Sequence, residues 1–138
     1  MTIFDGLTFH ADQIKDTDRL NKMIEDEAVR IHQSDEARNN RTLHQIRESV
    51  RQGKVAELYL IENYNYKEAG INWHDLIDSE GVYTEVKAYK IWDEHAPQVT
   101  KDLKRYRSIS KFKSKWYVLF SVDDGNFYKF IAKIKIKD

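Results

Sequence analysis

The feature that most constrains this chain is a change of hydrophobic period near residue 71. Before it, apolar residues recur at helical spacing; after it, they alternate as strand residues do. "DTDRLNKMIEDEAVRIH" predicts a helix capped by Asp16 or Thr17, with Leu20, Ile24, Ala28 and Ile31 on one stripe and the charges of "EDEAVRIH" on a solvated face. After "QSDEARNN", Leu43, Ile46 and Val50 open a second helical stretch that continues or restarts through "GKVAELYLIENY", with Gly53 its weak point. "INWHDLID" and "VYTEVKAYKIW" then read as strands joined by the short turn "SEG". "HAPQVTKDLKRY" predicts a helix beginning near Pro97, with Val99, Leu103 and Tyr106 facing inward. "KWYVLFSV" and "FYKFIAKIKIK" make a second hairpin across "DDGN". In its last strand Tyr128, Phe130, Ala132, Ile134 and Ile136 share a core face, and Lys129, Lys133, Lys135 and Lys137 share a wet one. The order helix, helix, strand, strand, helix, strand, strand calls for an α/β fold, a mixed sheet flanked by helices. With 138 residues, the chain is one domain, with a helical N-terminal extension over 1–45 and a core over 46–138.

The absence of cysteine excludes a disulfide framework and a thiolate zinc site, so any metal must be held by oxygen or imidazole. The five histidines, at 10, 32, 44, 74 and 95, include no H-x-x-x-H pair, which argues against a histidine-based metal site. The start, "MTIFDGLTFHADQ", lacks a basic flank followed by an apolar run, and no later run approaches the roughly 20 apolar residues of a membrane span. A soluble, cytoplasmic protein with no membrane partner is therefore expected. The formal net charge is zero, but it is unevenly spread: residues 1–50 sum to −3, residues 51–94 to −4 and residues 95–138 to +7. The basic third includes "KDLKRYRSISKFKSK", where Lys101, Lys104, Arg105, Arg107, Lys111, Lys113 and Lys115 face Asp102 alone. Such a run is either a solvated helix face with its following loop or a set of contacts to backbone phosphates.

The hairpin "HDLIDSEGVYTEVKAYK" gathers charges for which a structural hairpin has no use. Glu85 and Lys87 share one strand face, because side chains alternate. If Ser79, Glu80 and Gly81 form the loop, Asp78 faces Val82 and starts the turn, and Asp75 lies directly opposite Glu85. Two carboxylates so placed are roughly 5 Å apart at Cβ and need a proton or a cation between them. A hard divalent cation, held by one or two carboxylates with water and substrate phosphate, would satisfy them. Lys87 would then lower the pKa of an attacking water or offset charge developing on phosphate. Glu57 is followed by Leu60, Ile61 and Tyr64 at i+3, i+4 and i+7, so its carboxylate projects from an apolar stripe, a costly position unless it is paired or bound to a metal. His74 alternates toward the opposite face, and Trp73, Trp92 and Trp116 read as core or core-edge residues.

A helix bearing a glutamate after a small residue, a strand with an aspartate, a Gly-containing turn and a strand with Glu-Val-Lys together resemble the PD-(D/E)xK nuclease superfamily, the restriction-endonuclease-like fold. Over residues 50 to 122 or so, the resemblance implies a metal-dependent phosphodiesterase acting mostly on DNA. In that reading Asp75, Glu85 and Glu57 are metal ligands and, with Lys87 as the catalytic lysine, form the active site; magnesium is the cofactor and manganese its substitute. The family's proline before the aspartate is replaced by His74. Gln98 is similar to the glutamine that some members, including archaeal Holliday-junction resolvases, carry after the lysine strand. It joins Lys101, Lys104, Arg105, Arg107, Lys111 and Lys113 as a candidate nucleic-acid contact. The expectation is an endonuclease with DNA as partner, no small-molecule cofactor, and a homodimer for cutting two strands. Small size and charged composition suit a phage or mobile-element protein. The alternatives are a non-catalytic nucleic-acid-binding or assembly module that retains the nuclease fold, and a nuclease specific for RNA or junctions.

Overall fold

The protein is described by a computed structural model covering residues 2–39, 42–70, 75–90 and 92–137; the side chains of 34–39 and 92–96 are outside that description. It is a mixed α/β fold in which helices cover both faces of one six-stranded sheet. In chain order the elements are β1 (Thr8–His10), α1 (Thr17–Asn39), α2 (Leu43–Tyr64), β2 (Lys67–Glu68), β3 (Leu76–Ile77), β4 (Tyr83–Tyr89), α3 (Trp92–Ser108), β5 (Trp116–Val122) and β6 (Phe127–Lys135). The sheet order is β1-β6-β5-β4-β3-β2. Among the described strands only β4 and β5 run parallel, as the crossover through α3 requires.

The long helices are set by their caps. Asp16 accepts the Arg19 amide through Oδ1 at 2.9 Å, and Glu62, near the end of α2, accepts the amides of Lys15 and Asp16 at 2.8 Å each. α1 then runs through "QSDEARN", which the sequence reading treats as a break. Thr42 and Gln45 form a reciprocal capping box at the start of α2. α2 passes through Gly53 uninterrupted and ends where Asn65 turns left-handed at φ 60°.

Two apolar clusters lie on opposite sides of the sheet. Leu20, Met23 and Ile24 of α1, Val55, Ala56, Leu58 and Leu60 of α2, and Val86, Val118, Phe120, Val122 and Tyr128 of the sheet form one. Val99, Leu103 and Tyr106 of α3 pack with Tyr117, Leu119 and Ile136 in the other. The stripes expected for α1 and α3 are thus buried, apart from the half-buried Ile31. Residues 1–45 do more than extend the fold: Phe4, Phe9 and α1 belong to the larger cluster, and β1 pairs with β6.

Three expectations are corrected. β1 and β2 are additional strands, too short for alternation to reveal. The strand expected over "VYTEVKAYKIW" ends at Tyr89; α3 begins at Trp92 and carries Pro97 inside it, because an Ile-Trp pair reads equally as strand end or helix start. The last strand does not keep one wet face. Between Leu119↔Ala132 and Phe120↔Phe130 the register slips, leaving Ile131 as the extra residue of a bulge. Tyr128 and Phe130 therefore pack toward α1 and α2, whereas Ile134 and Ile136 pack toward α3. Residues 71–74 of the expected strand "INWHDLID", including Trp73 and His74, lie outside the described residues.

Candidate active site

The β3–β4 hairpin positions the site, and it has the register that the turn chemistry predicts. Leu76 pairs with Thr84 and Ile77 with Tyr83, so one residue further along Asp75 stands against Glu85. The turn is held by Asp78, whose Oδ1 accepts the amides of Glu80 and Val82 at 2.9 Å each, and by Gly81 at φ +82°. Asp75 sits just before β3, and its Oδ2 accepts the Val86 amide at 2.9 Å. A side chain thus takes over where the described β3 ladder ends, and the carboxylate is anchored to the strand that carries Glu85 and Lys87.

Glu85 is buried at 4% exposure, and the Asp75 carboxyl stands close enough to act on its carboxyl. Ser114, also buried, donates its hydroxyl to Glu85 Oε1 at 2.9 Å. Burial, then repulsion from Asp75, pushes the Glu85 carboxyl up to about 9, against the smaller pull of Ser114 and Lys87. Glu57 reaches toward the same group from α2. Burial, then Asp75, pushes it up to about 8, although Lys54 pairs with it at 3.3 Å. For Lys87, burial works against the charge, but Asp75 and lesser contributions from Tyr106, Tyr89 and Glu85 outweigh it, so its pKa is raised. Lys87 therefore stays protonated at neutral pH. Such an ammonium donates hydrogen bonds and offsets negative charge; it does not abstract a proton.

These residues open onto two clefts. Asp75, Glu85 and Lys87 line a cleft of roughly 510 Å³ with Glu27 and Arg30 of α1 and Arg105, Tyr106, Ile109 and Phe112 from α3 and the loop after it. Asp75 and Lys87 also border a second cleft with Glu27, Lys54, Glu57 and Tyr89. Among the described residues, no three Asp, Glu or His side chains converge tightly enough to hold a metal ion by themselves. The expected three-carboxylate set is therefore resolved into a close pair, Asp75 and Glu85, with Glu57 ion-paired to Lys54 nearby. A pair suffices for magnesium, which keeps several waters and takes one or two carboxylates plus phosphate. Protons crowded onto Glu85 and Glu57 are what a cation would replace.

Of the expected nucleic-acid contacts, Arg105 lies on the cleft, over the Tyr106 ring at 5.1 Å. Lys101, Lys104, Lys111 and Lys113 are exposed on α3 and its following loop. Arg107 is instead fastened to β6, donating to the carbonyl of Lys135 at 2.9 Å. Gln98 donates its amide to Asp102 at 2.9 Å, and that carboxylate is no solvated member of a basic run: it is 6% exposed and also accepts from Tyr89 and Tyr117. Sequence reasoning missed Glu27, Arg30, Lys54 and Ser114. Lys54 stands three residues before Glu57, on the same helix face, and that spacing was the available signal. Glu27 is corrected from its solvated role, with a side chain 29% exposed among cations.

No family model, curated protein or solved structure matches the chain. Among the described residues, no helix is long and apolar enough to cross a membrane.

Proposed function

We propose that this protein is a magnesium-dependent endonuclease that hydrolyses phosphodiester bonds in DNA, working in the cytoplasm on a restriction-endonuclease-like core. The observation that carries the reading is the Asp75–Glu85 carboxyl pair with the protonated Lys87 beside it, on a hairpin that lines an open cleft. The order α2, β3, β4, α3, β5 supports it, with a buried glutamate on the helix and the three charged residues on the hairpin. So does Arg105, a cation on the cleft wall, with further cations exposed along α3.

Asp75 and Glu85 would hold the metal, and manganese would substitute for magnesium. Bound there, the metal would lower the pKa of a water and offset charge on the phosphate. Lys87 orients the water and steadies charge on the phosphoryl oxygens as the bond to the leaving oxygen breaks. Glu57 and Lys54 fix the electrostatic balance from the α2 side. A symmetric dimer would present two such sites to the two strands of a duplex.

The test is incubation of purified protein with supercoiled plasmid in magnesium and in chelator, beside Lys87→Ala. Nicking or linearisation that requires the metal, and falls by about 10²–10³-fold in the variant, is the expected result. An intact plasmid, together with intact single-stranded and branched oligonucleotides, would overturn the reading and leave a protein that works by binding alone.

A further inference from the structure

The proposed site contains a charge pair that its chemistry does not use. On α1, the Arg30 guanidinium is engaged by the Glu27 carboxylate through two bonds, Nη2 to Oε1 at 2.6 Å and Nε to Oε2 at 3.1 Å. This planar fork is how arginine takes any oxyanion with two free oxygens, and a phosphodiester presents the same pair of acceptors. Both residues line the cleft that holds Asp75, Glu85 and Lys87, with Arg105 as a further guanidinium on the same cleft. Arg30 is 53% exposed at its side chain, so it can swing to a ligand without leaving a buried charge behind. Glu27 is the less exposed partner and would not be stranded by that move: Lys54 and Lys87 also act on its charge and, with Arg30, hold its pKa below the usual carboxylate range although burial opposes them.

We infer that Arg30 is a backbone-phosphate clamp of the polynucleotide substrate, and that Glu27 occupies it as a competing anion until a phosphate displaces it. The inference rests on the nuclease reading for the nature of its ligand. It gives α1 a role in substrate choice: the helix supplies one cation of the cleft wall and the anion that makes binding selective, since a weakly held phosphate fails to displace a carboxylate held three residues away on the same helix turn. Glu27 and Arg30 thereby set how tightly substrate is held, while Asp75, Glu85 and Lys87 act on it.

The experiment is fluorescence anisotropy of a labelled DNA oligonucleotide with the full chain in chelator, over a series of salt concentrations, for wild type, Arg30→Ala and Glu27→Gln. Helical content by circular dichroism confirms that each variant is folded. Removing Arg30 should weaken binding several-fold and take about one from the slope of log affinity against log salt. Glu27→Gln should tighten binding several-fold, which loss of a merely structural pair would not do. Unchanged affinity and slope in Arg30→Ala, or binding by Glu27→Gln no tighter than by wild type, would overturn the inference. Plasmid cleavage in magnesium is scored separately on the same preparations. Altered binding without cleavage in any of them would sink the nuclease reading and leave the phosphate clamp standing.

Discussion

The two faces of the sheet do different work, and β4 is where they part. Toward α1 and α2 it turns Thr84 and Val86, into a face where Phe9 stacks between Tyr59 and Tyr128, at centroid distances of 3.8 and 4.8 Å. Toward α3 it turns Glu85, Lys87 and Tyr89, into a face that also buries Asp102 and Ser114. Every polar group on that second face needs a partner: Asp102 has two tyrosine hydroxyls and the Gln98 amide, and Glu85 has Ser114 and Asp75. The apolar face can be filled by any well-shaped hydrophobes, whereas the polar face depends on specific donors and acceptors. A single strand thus turns an apolar face to one core and Glu85 and Lys87 to the other, and Glu57 of α2 and Glu27 of α1 complete the clefts that these two residues line.

The contrast is sharpest in stability. Leu58→Ala, in the fully buried α2 position, should cost about 2–5 kcal/mol, and Leu103→Ala on the α3 face should fall at the low end of that range because its site is closer to solvent. Urea unfolding of both variants checks this, and an equal or reversed order would break the comparison.

The next effect is on pH. The folded-state pKa values of Glu85 and Glu57 are raised, to about 9 and about 8, so their contribution is fully present below the ordinary carboxylate range and is lost as pH rises through those values. In chelator the protein should lose stability as pH rises above the ordinary carboxylate range, until Glu57 at about 8 and Glu85 at about 9 have ionised. Glu85→Gln should flatten that slope. Magnesium should raise the melting temperature at pH 8 in the wild type and leave this variant unmoved. Denaturant midpoints across the pH range would contradict the account if the slope were flat in the wild type.

The smallest expected effect is at the turn that sets the pair. Gly81→Ala meets no atom within 4 Å, so only its φ of +82° is strained, at about 1–2 kcal/mol. Cleavage should fall further than this loss of stability implies, because a slipped register separates Asp75 from Glu85. A variant that is destabilised yet fully active would detach the turn from the site.

Much of this was legible in the residues. Asp78 and Gly81 are strong turn formers, and with strand alternation they suffice to put Asp75 against Glu85; the structure has that register. The amphipathic stripes of α1 and α3 were legible for the same reason, that a repeated period is a local signal. The bulge at Ile131 was not, because "FYKFIAKIKIK" alternates almost without fault and only pairing with β5 reveals the extra residue. Gln98 and Asp102 also misled: a polar residue on a helix reads as solvated until the tyrosines of β4 and β5 are brought against it.

The sequence by itself determined the amphipathic stripes of α1 and α3, the turn at Asp78 and Gly81, and a hairpin register that brings Asp75 toward Glu85, since each depends on neighbours close along the chain. Only the tertiary structure decided that α1 brings Glu27 and Arg30 to the cleft, that Lys54 pairs with Glu57 beside it, and that Ser114 meets Glu85. The physical reason is separation: contacts 29 residues apart, as between Ser114 and Glu85, follow from how helices pack on the sheet, and no local period encodes them.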